Sequence, residues 1–302
     1  MSAPPSSLRA VLYALAANFG IFVAKGVAAA VTGSTSMMAE AIHSLADCGN
    51  QGLLLRGMQE SKREPTREHP FGYGQVVYFW AFLVSVMLFT VGGAFSIYEG
   101  LHKLAHPEPL AWAGVAVAVL GISIILETVS LLGCVREIRK TSGGRSLWRF
   151  FRDSRNTELI VVLGEDIAAL FGLGLALVAV LLAMVTGNPA FDALGSIGVG
   201  ALLIVVAVLL AVEIKALITG QSAEPEVEQA IRRFLLARPE VGEVLSLMTL
   251  QMGASIMVAT KARMAPAADA LALVAAINQV ELELRAEFPQ VRWLFFEPDT
   301  LK

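Results

Sequence analysis

The chain has 302 residues, 56% hydrophobic and only 16% charged, with a mean hydropathy of +0.65. Soluble domains carry about 25% charged residues, so this composition excludes a wholly soluble protein and indicates an integral membrane protein with some soluble part. A net charge of -3 excludes a strongly basic nucleic-acid binder, and four Trp and four Tyr are too few for base-stacking platforms.

Residues 1–7 form a short polar leader with Pro4 and Pro5, without the pattern of a removable signal peptide. A membrane-spanning helix needs about 20 apolar residues. Six stretches meet that length, at 8–31, 36–59, 75–101, 110–135, 156–185 and 190–217. The first two are joined by a tight turn, Thr32-Gly33-Ser34-Thr35. Residues 60–74 form a polar loop carrying Lys62, Arg63, Arg67 and the run H-P-F-G-Y-G from His69 to Gly74. Residues 102–109 make a short loop with His102 and His106, which reads as solvated. Residues 136–155 form a strongly basic loop, suited to setting topology and to meeting anionic lipid. Basic residues concentrate after spans two and four, which places both termini on the cytoplasmic side.

The character changes after Gly220, where charges are spread throughout and no span follows. A helix is expected to start near Ser222 and Pro225, with Val227, Ile231, Phe234 and Leu235 at helical spacing. Strands follow at 244–250 and 256–262, joined around Gly253. A second helix buries Leu273, Ile277, Val280, Leu284 and Phe288, and a last strand runs over 291–296. The expected fold class is therefore a mainly α membrane protein. Six transmembrane helices lie in residues 1–220, followed by a small cytoplasmic α+β domain of order α-β-β-α-β in residues 221–302. A domain that small is marginal alone, so pairing with a second copy is expected.

The spans carry polar residues that lipid does not tolerate cheaply. Span two holds Glu40, His43, Asp47, Asn50 and Gln51, which fall on neighbouring turns of one helix face. Ionisable groups at membrane depth face a bundle interior and mark ion or proton paths. A histidine and a carboxylate at i, i+4 also form a pair of metal ligands, although the same two groups could pair only to fix packing. Span five supplies Glu158, Glu165 and Asp166, and span four supplies Glu127, read as a packing residue or a proton relay. Asp192 opens span six, where capping the helix is its simplest role. Neutral His43, Asp47 and Asp166 around a dication form a neutral complex. Emptied, the same set carries two negative charges and attracts protons, so metal and protons compete. Glu165 is a tentative fourth ligand. Asn50 and Gln51 serve either to orient Asp47 or as interhelical hydrogen bonds, and Glu40 and Glu158 either support the ligands from outside or belong to a proton path. Cys48 and Cys134, the only cysteines, lie in apolar helical stretches and indicate neither a disulfide framework nor a thiolate zinc cluster.

Taken together, these pieces resemble the cation diffusion facilitator family of metal/proton antiporters. The likeness rests on H-x-x-x-D in span two (His43, Asp47), on H-P-F-G-Y-G after it, and on the acidic pair of span five. D-A-L-G-S opening span six and the α-β-β-α-β domain add to it. The runs E-D-I-A-A-L and H-S-L-A-D-C-G-N-Q look like the subgroup related to the ninth human zinc transporter. The resemblance implies a homodimer and a transport site built from spans two and five, with His43, Asp47 and Asp166 at ligand positions. The usual fourth ligand, four residues before Asp166, is here Val162, which cannot bind metal. The loop site of some members has only His69, with Tyr73 in its second place, and Gln251 stands where the cytoplasmic domain often has histidine. That domain is therefore expected to serve dimerisation, not metal sensing.

The expected function is efflux of a divalent transition metal by metal/proton antiport in a multi-pass membrane protein of a bacterial inner membrane. Zn2+ leads as transported substrate, manganese, iron, cobalt and nickel remain open, and no organic cofactor or nucleic-acid partner is expected. A non-transporting membrane metal sensor or scaffold is the alternative. An enzyme is not expected, because H-E-x-x-H is absent and no Ser-His-Asp set is evident.

Overall fold

The structure is a computed structural model that describes residues 5–32, 35–107, 113–142, 144 and 146–300. Within its helices it leaves out the side chains of residues 5, 6, 29, 32, 35–40, 42, 43 and 141. The expected polar leader and the turns at 32–35 and 102–109 therefore lie partly outside the described residues.

Each long apolar stretch forms a helix because only a helix satisfies its own backbone polar groups in lipid. These are α1 (Pro5–Thr32), α2 (Thr35–Glu60), α3 (Val76–Met87), α4 (Phe95–Ala105), α5 (Ala113–Thr141), α7 (Thr157–Thr186) and α8 (Ala190–Ile218). α3 and α4 are one rod, joined by a π-helical segment, Leu88–Ala94. Five rods among the described residues are long and apolar enough to cross a membrane. α2 has the length but not the apolarity, because its polar stripe interrupts it. It packs between α1 and α3, and two residues of its stripe, Asn50 and Gln51, are buried. α3, the π segment and α4 lie along α8, where a Cβ on Gly200 would sit 2.6 Å from the Gly93 carbonyl oxygen. Glycine at both positions lets the two backbones approach without that clash.

Three expectations about the rods and their connections need correction. Residues 102–105, expected as loop, form the last turn of α4, which ends at Ala105. The basic stretch 136–155 is not a plain loop. α5 continues to Thr141, and a short helix, α6 (Leu147–Asp153), follows with Ser146 capping the Arg149 N–H. Its Phe150 is buried in the bundle core, and that anchor holds the segment against the helix ends. Asp192 does not cap α8. Pro189 occupies the cap position, and the Asp192 carboxylate pairs with Lys103 at 3.4 Å.

The C-terminal domain has the expected order: α9 (Pro225–Leu236), β1 (Val241–Met252), β2 (Ser255–Met264), α10 (Ala270–Glu287) and β3 (Val291–Pro298). Glu224, not Ser222, precedes the first helical residue of α9, and Pro225 takes the first turn, where its missing N–H costs nothing. β1 and β2 form an antiparallel hairpin, and β3 returns parallel to β2 after α10. Ile231, Leu235, Val258, Val280 and Leu284 form the centre of a second apolar core, separate from that of the bundle.

The hairpin turn is seated on the bundle. The buried Tyr78 hydroxyl of α3 accepts a hydrogen bond from the Gly253 N–H at 2.8 Å. Phe71, from the H-P-F-G-Y-G run, meets Trp293 of β3 edge-on at 5.7 Å. From the α6–α7 junction, Arg155 donates to the Ser222 carbonyl at 2.8 Å. Burial pushes the Arg155 guanidinium below its ordinary range, while Glu224 and Asp153 pull it back.

Candidate metal centre

α2 and α7 carry the residues singled out in the sequence, and a direct hydrogen bond links them. The Gln51 side-chain N–H donates to Glu165 Oε2 at 2.7 Å. Gln51 is buried, so this bond lies inside the bundle and turns Glu165 toward α2. Gln51 thus has an acceptor on α7, and no hydrogen bond to Asp47 is needed to explain its burial. The next residue along α7 turns the other way. Asp166, also buried, accepts from the single Ser130 hydroxyl hydrogen of α5, whose Oγ lies 3.2 and 3.1 Å from the two carboxylate oxygens and can be shared between them. Adjacent residues on a helix lie about 100° apart, so two neighbouring carboxylates can face two different helices.

These acids form one electrostatic neighbourhood. Glu165 is within reach of Asp47, Asp166 and Glu127. Glu127 is within reach of Asp166, Asp47 and Lys25. Glu127 and Lys25 are both buried, so their charges are poorly screened. Three oxygens in this region, Asn50 Oδ1, Gln51 Oε1 and Glu165 Oε1, are shielded from solvent and accept no hydrogen bond from the described residues. Asn50 and Asp47 line a narrow cleft with Ala46, Met87, Leu88, Val91 and Gly92. The π segment forms its far wall, and such segments gather at functional sites.

Other expected residues fall elsewhere. Glu158 sits in the first turn of α7, near enough to Tyr78 to act on its hydroxyl electrostatically. At 1.5 Å per residue it lies roughly 10 Å along the axis from Glu165. The side chains of His43 and Glu40 lie outside the described residues. Among the described residues, no three His, Cys, Asp or Glu side chains stand close enough to share one ion. Val162 is fully buried in the apolar core, consistent with its being no ligand. In the loop, the His69 and Tyr73 rings lie 4.5 Å apart, and the Arg63 guanidinium lies 4.5 Å over Tyr73.

Sequence reading did not single out Ser130 or Ser123. Ser123, Glu127 and Ser130 repeat at i, i+4, i+7, and all three are buried on one face of α5. That spacing was visible as a polar stripe, but isolated serines in an apolar helix carry too little hydropathy to attract notice.

The cation efflux transmembrane domain family matches residues 11–218. The chain is 36% identical over 249 residues to the proton-coupled zinc antiporter SLC30A9, mitochondrial, of Xenopus laevis, covering 82% of this chain and 44% of that protein. It is 32% identical over 231 residues to metal tolerance protein C4 of Arabidopsis thaliana, covering 76% and 50%. It is 25% identical over 268 residues to the zinc transporter ZitB of Pectobacterium atrosepticum, covering 86% and 77%. The chain thus spans less than half the length of the SLC30A9 relative.

Proposed function

The chain belongs to the cation efflux family, and from that premise we propose that it exports a divalent transition metal, zinc foremost, in exchange for protons. The observation that carries this reading is the Gln51–Glu165 hydrogen bond. It joins the polar stripe of α2 to the acidic pair of α7 inside the bundle, where Asp47, Asp166 and Glu127 also act on Glu165. We assign His43, Asp47 and Asp166 as metal ligands, with Glu165 as a fourth. Gln51 positions Glu165, Asn50 flanks Asp47 at the cleft, and Glu40 and Glu158 extend the proton path toward the two ends.

A cluster of acids in a low-dielectric interior cannot stay both empty and fully charged. It holds a dication or it holds protons, and the exchange of one for the other couples the two flows. Nothing in this scheme needs a chemical step, so no enzymatic role is assigned. Gln51 binds Glu165 from α2, and Ser130 binds Asp166 from α5. Rocking α2 against α5 and α7 would therefore separate or gather the ligands, a simple basis for alternating access.

Zinc is favoured by imidazole with carboxylate and by the names of the SLC30A9 and ZitB relatives. Both termini are assigned to the cytoplasmic side by the basic segments after α2 and α5. The host we propose is a bacterial inner membrane, across which a proton gradient can drive the exchange. The soluble domain, residues 221–302, is assigned to pairing two copies. Flux through the full-length protein in proteoliposomes tests the core of this reading. An inward proton gradient should drive zinc efflux, and Asp47→Ala, Asp166→Ala and His43→Ala should each abolish it. Undiminished zinc flux in the Asp47→Ala protein would overturn the site.

A further inference from the structure

The chain has only four histidines, and two of them stand together. His102 lies in the last turn of α4, and His106 caps that helix, its N–H donating to the His102 carbonyl at 2.9 Å. Their rings are 4.8 Å apart between centroids. His106 is the C-cap, with φ -128° and ψ 75°, so it is the ring contact, and not helical spacing alone, that brings the two imidazoles near enough to share one zinc. With Zn–N distances of about 2.0–2.1 Å, a tetrahedral ion holds two donor nitrogens roughly 3.3 Å apart. The ring planes are inclined by 37°, so binding requires side-chain rotations that turn one nitrogen of each ring toward a common point.

The surroundings suit a cation. Tyr98, one turn earlier, stacks on the His102 ring at 6.4 Å and 14° and limits its rotation. The C-terminal end of a helix carries partial negative charge. The one lysine in this turn, Lys103, is drawn to Glu99 and Asp192 at 3.4 Å each, which offsets its repulsion of an incoming ion. Both imidazoles are exposed, so water can complete the coordination and little desolvation is required. The position is also informative. α3 begins beside the hairpin turn of the soluble domain, so the end of α4 lies at the opposite end of the bundle.

We propose that His102 and His106 form a two-nitrogen site for a divalent transition metal at the bundle end opposite the soluble domain. It is separate from the centre between α2 and α7 and does not depend on the transport reading. Imidazole donors favour zinc, copper or nickel over magnesium or calcium. With two protein donors the site binds weakly and exchanges its ion readily.

The test uses the full-length protein in detergent, carrying Asp47→Ala so that the interior centre is disabled. Zn2+ titrations by calorimetry should show one site per chain, and Mg2+ should not compete for it. His102→Gln and His106→Gln, each alone, should weaken that site at least tenfold, because either change destroys the chelate. His69→Gln should leave it within twofold. Cu2+ bound in the same place should show two coupled nitrogens by electron paramagnetic resonance, and one in either variant. Both side chains are exposed, so the metal-free melting temperature should not move. Zinc binding unchanged by both substitutions, or lost equally with His69→Gln, would overturn the assignment.

Discussion

Glu165 and Gln51 show how a single contact can separate an ionic role from a structural one. Glu165→Gln keeps an acceptor for the Gln51 N–H, so stability should change by less than about 0.5 kcal/mol. It removes a negative charge from the centre, so zinc flux should fall or its metal preference should shift. Gln51→Leu does the reverse. It leaves a shielded carboxylate without its donor, which costs about 1–3 kcal/mol and should appear as a lower melting temperature in detergent. Ser130 supplies the side-chain hydroxyl that the described residues place on the Asp166 carboxylate. Ser130→Ala should weaken zinc binding by roughly tenfold or more, as loss of a ligand's outer partner commonly does, and Ser130→Thr should restore most of it.

At the scale of elements, the junction between the rods and the soluble domain depends on two glycines. Gly253 has φ +65°, and a Cβ there would collide with the carbonyl of Gly74, the last residue of the H-P-F-G-Y-G run. Left-handed backbone alone costs a residue with a side chain about 1–2 kcal/mol. Gly253→Ala should therefore loosen the hairpin from the bundle. Faster hydrogen exchange at residues 252–255 and at the 69–74 loop would register the change. Unaltered exchange would mean that the seat is held by Phe71, Trp293 and Arg155 instead. This contact gives the loop motif a mechanical reading, because the loop leads directly into α3 and Tyr78 grips the same turn.

At the scale of the molecule, the proposed pairing of two chains can be tested by light scattering of the full-length protein in detergent. The expected protein mass is twice the 32.1 kDa of one chain, and a single-chain mass would remove the role proposed for the soluble domain. Much of the architecture was legible beforehand. Long apolar runs in lipid have one solution, the helix, and alternating or 3.6-residue patterns marked the strands and helices after Gly220. The polar stripe on α2 was equally plain, since charge at membrane depth demands a buried partner. What the sequence could not decide was which partner. Gln51 pairs across the bundle with Glu165, 114 residues on, while Asp166 turns to Ser130, 36 residues back, and local sequence holds no record of that choice. The basic stretch became helix because Phe150 found the bundle core, and Asp192 met Lys103 rather than its own helix start. Local periodicity determines the elements, whereas long-range packing of one rod against another decides which buried groups meet.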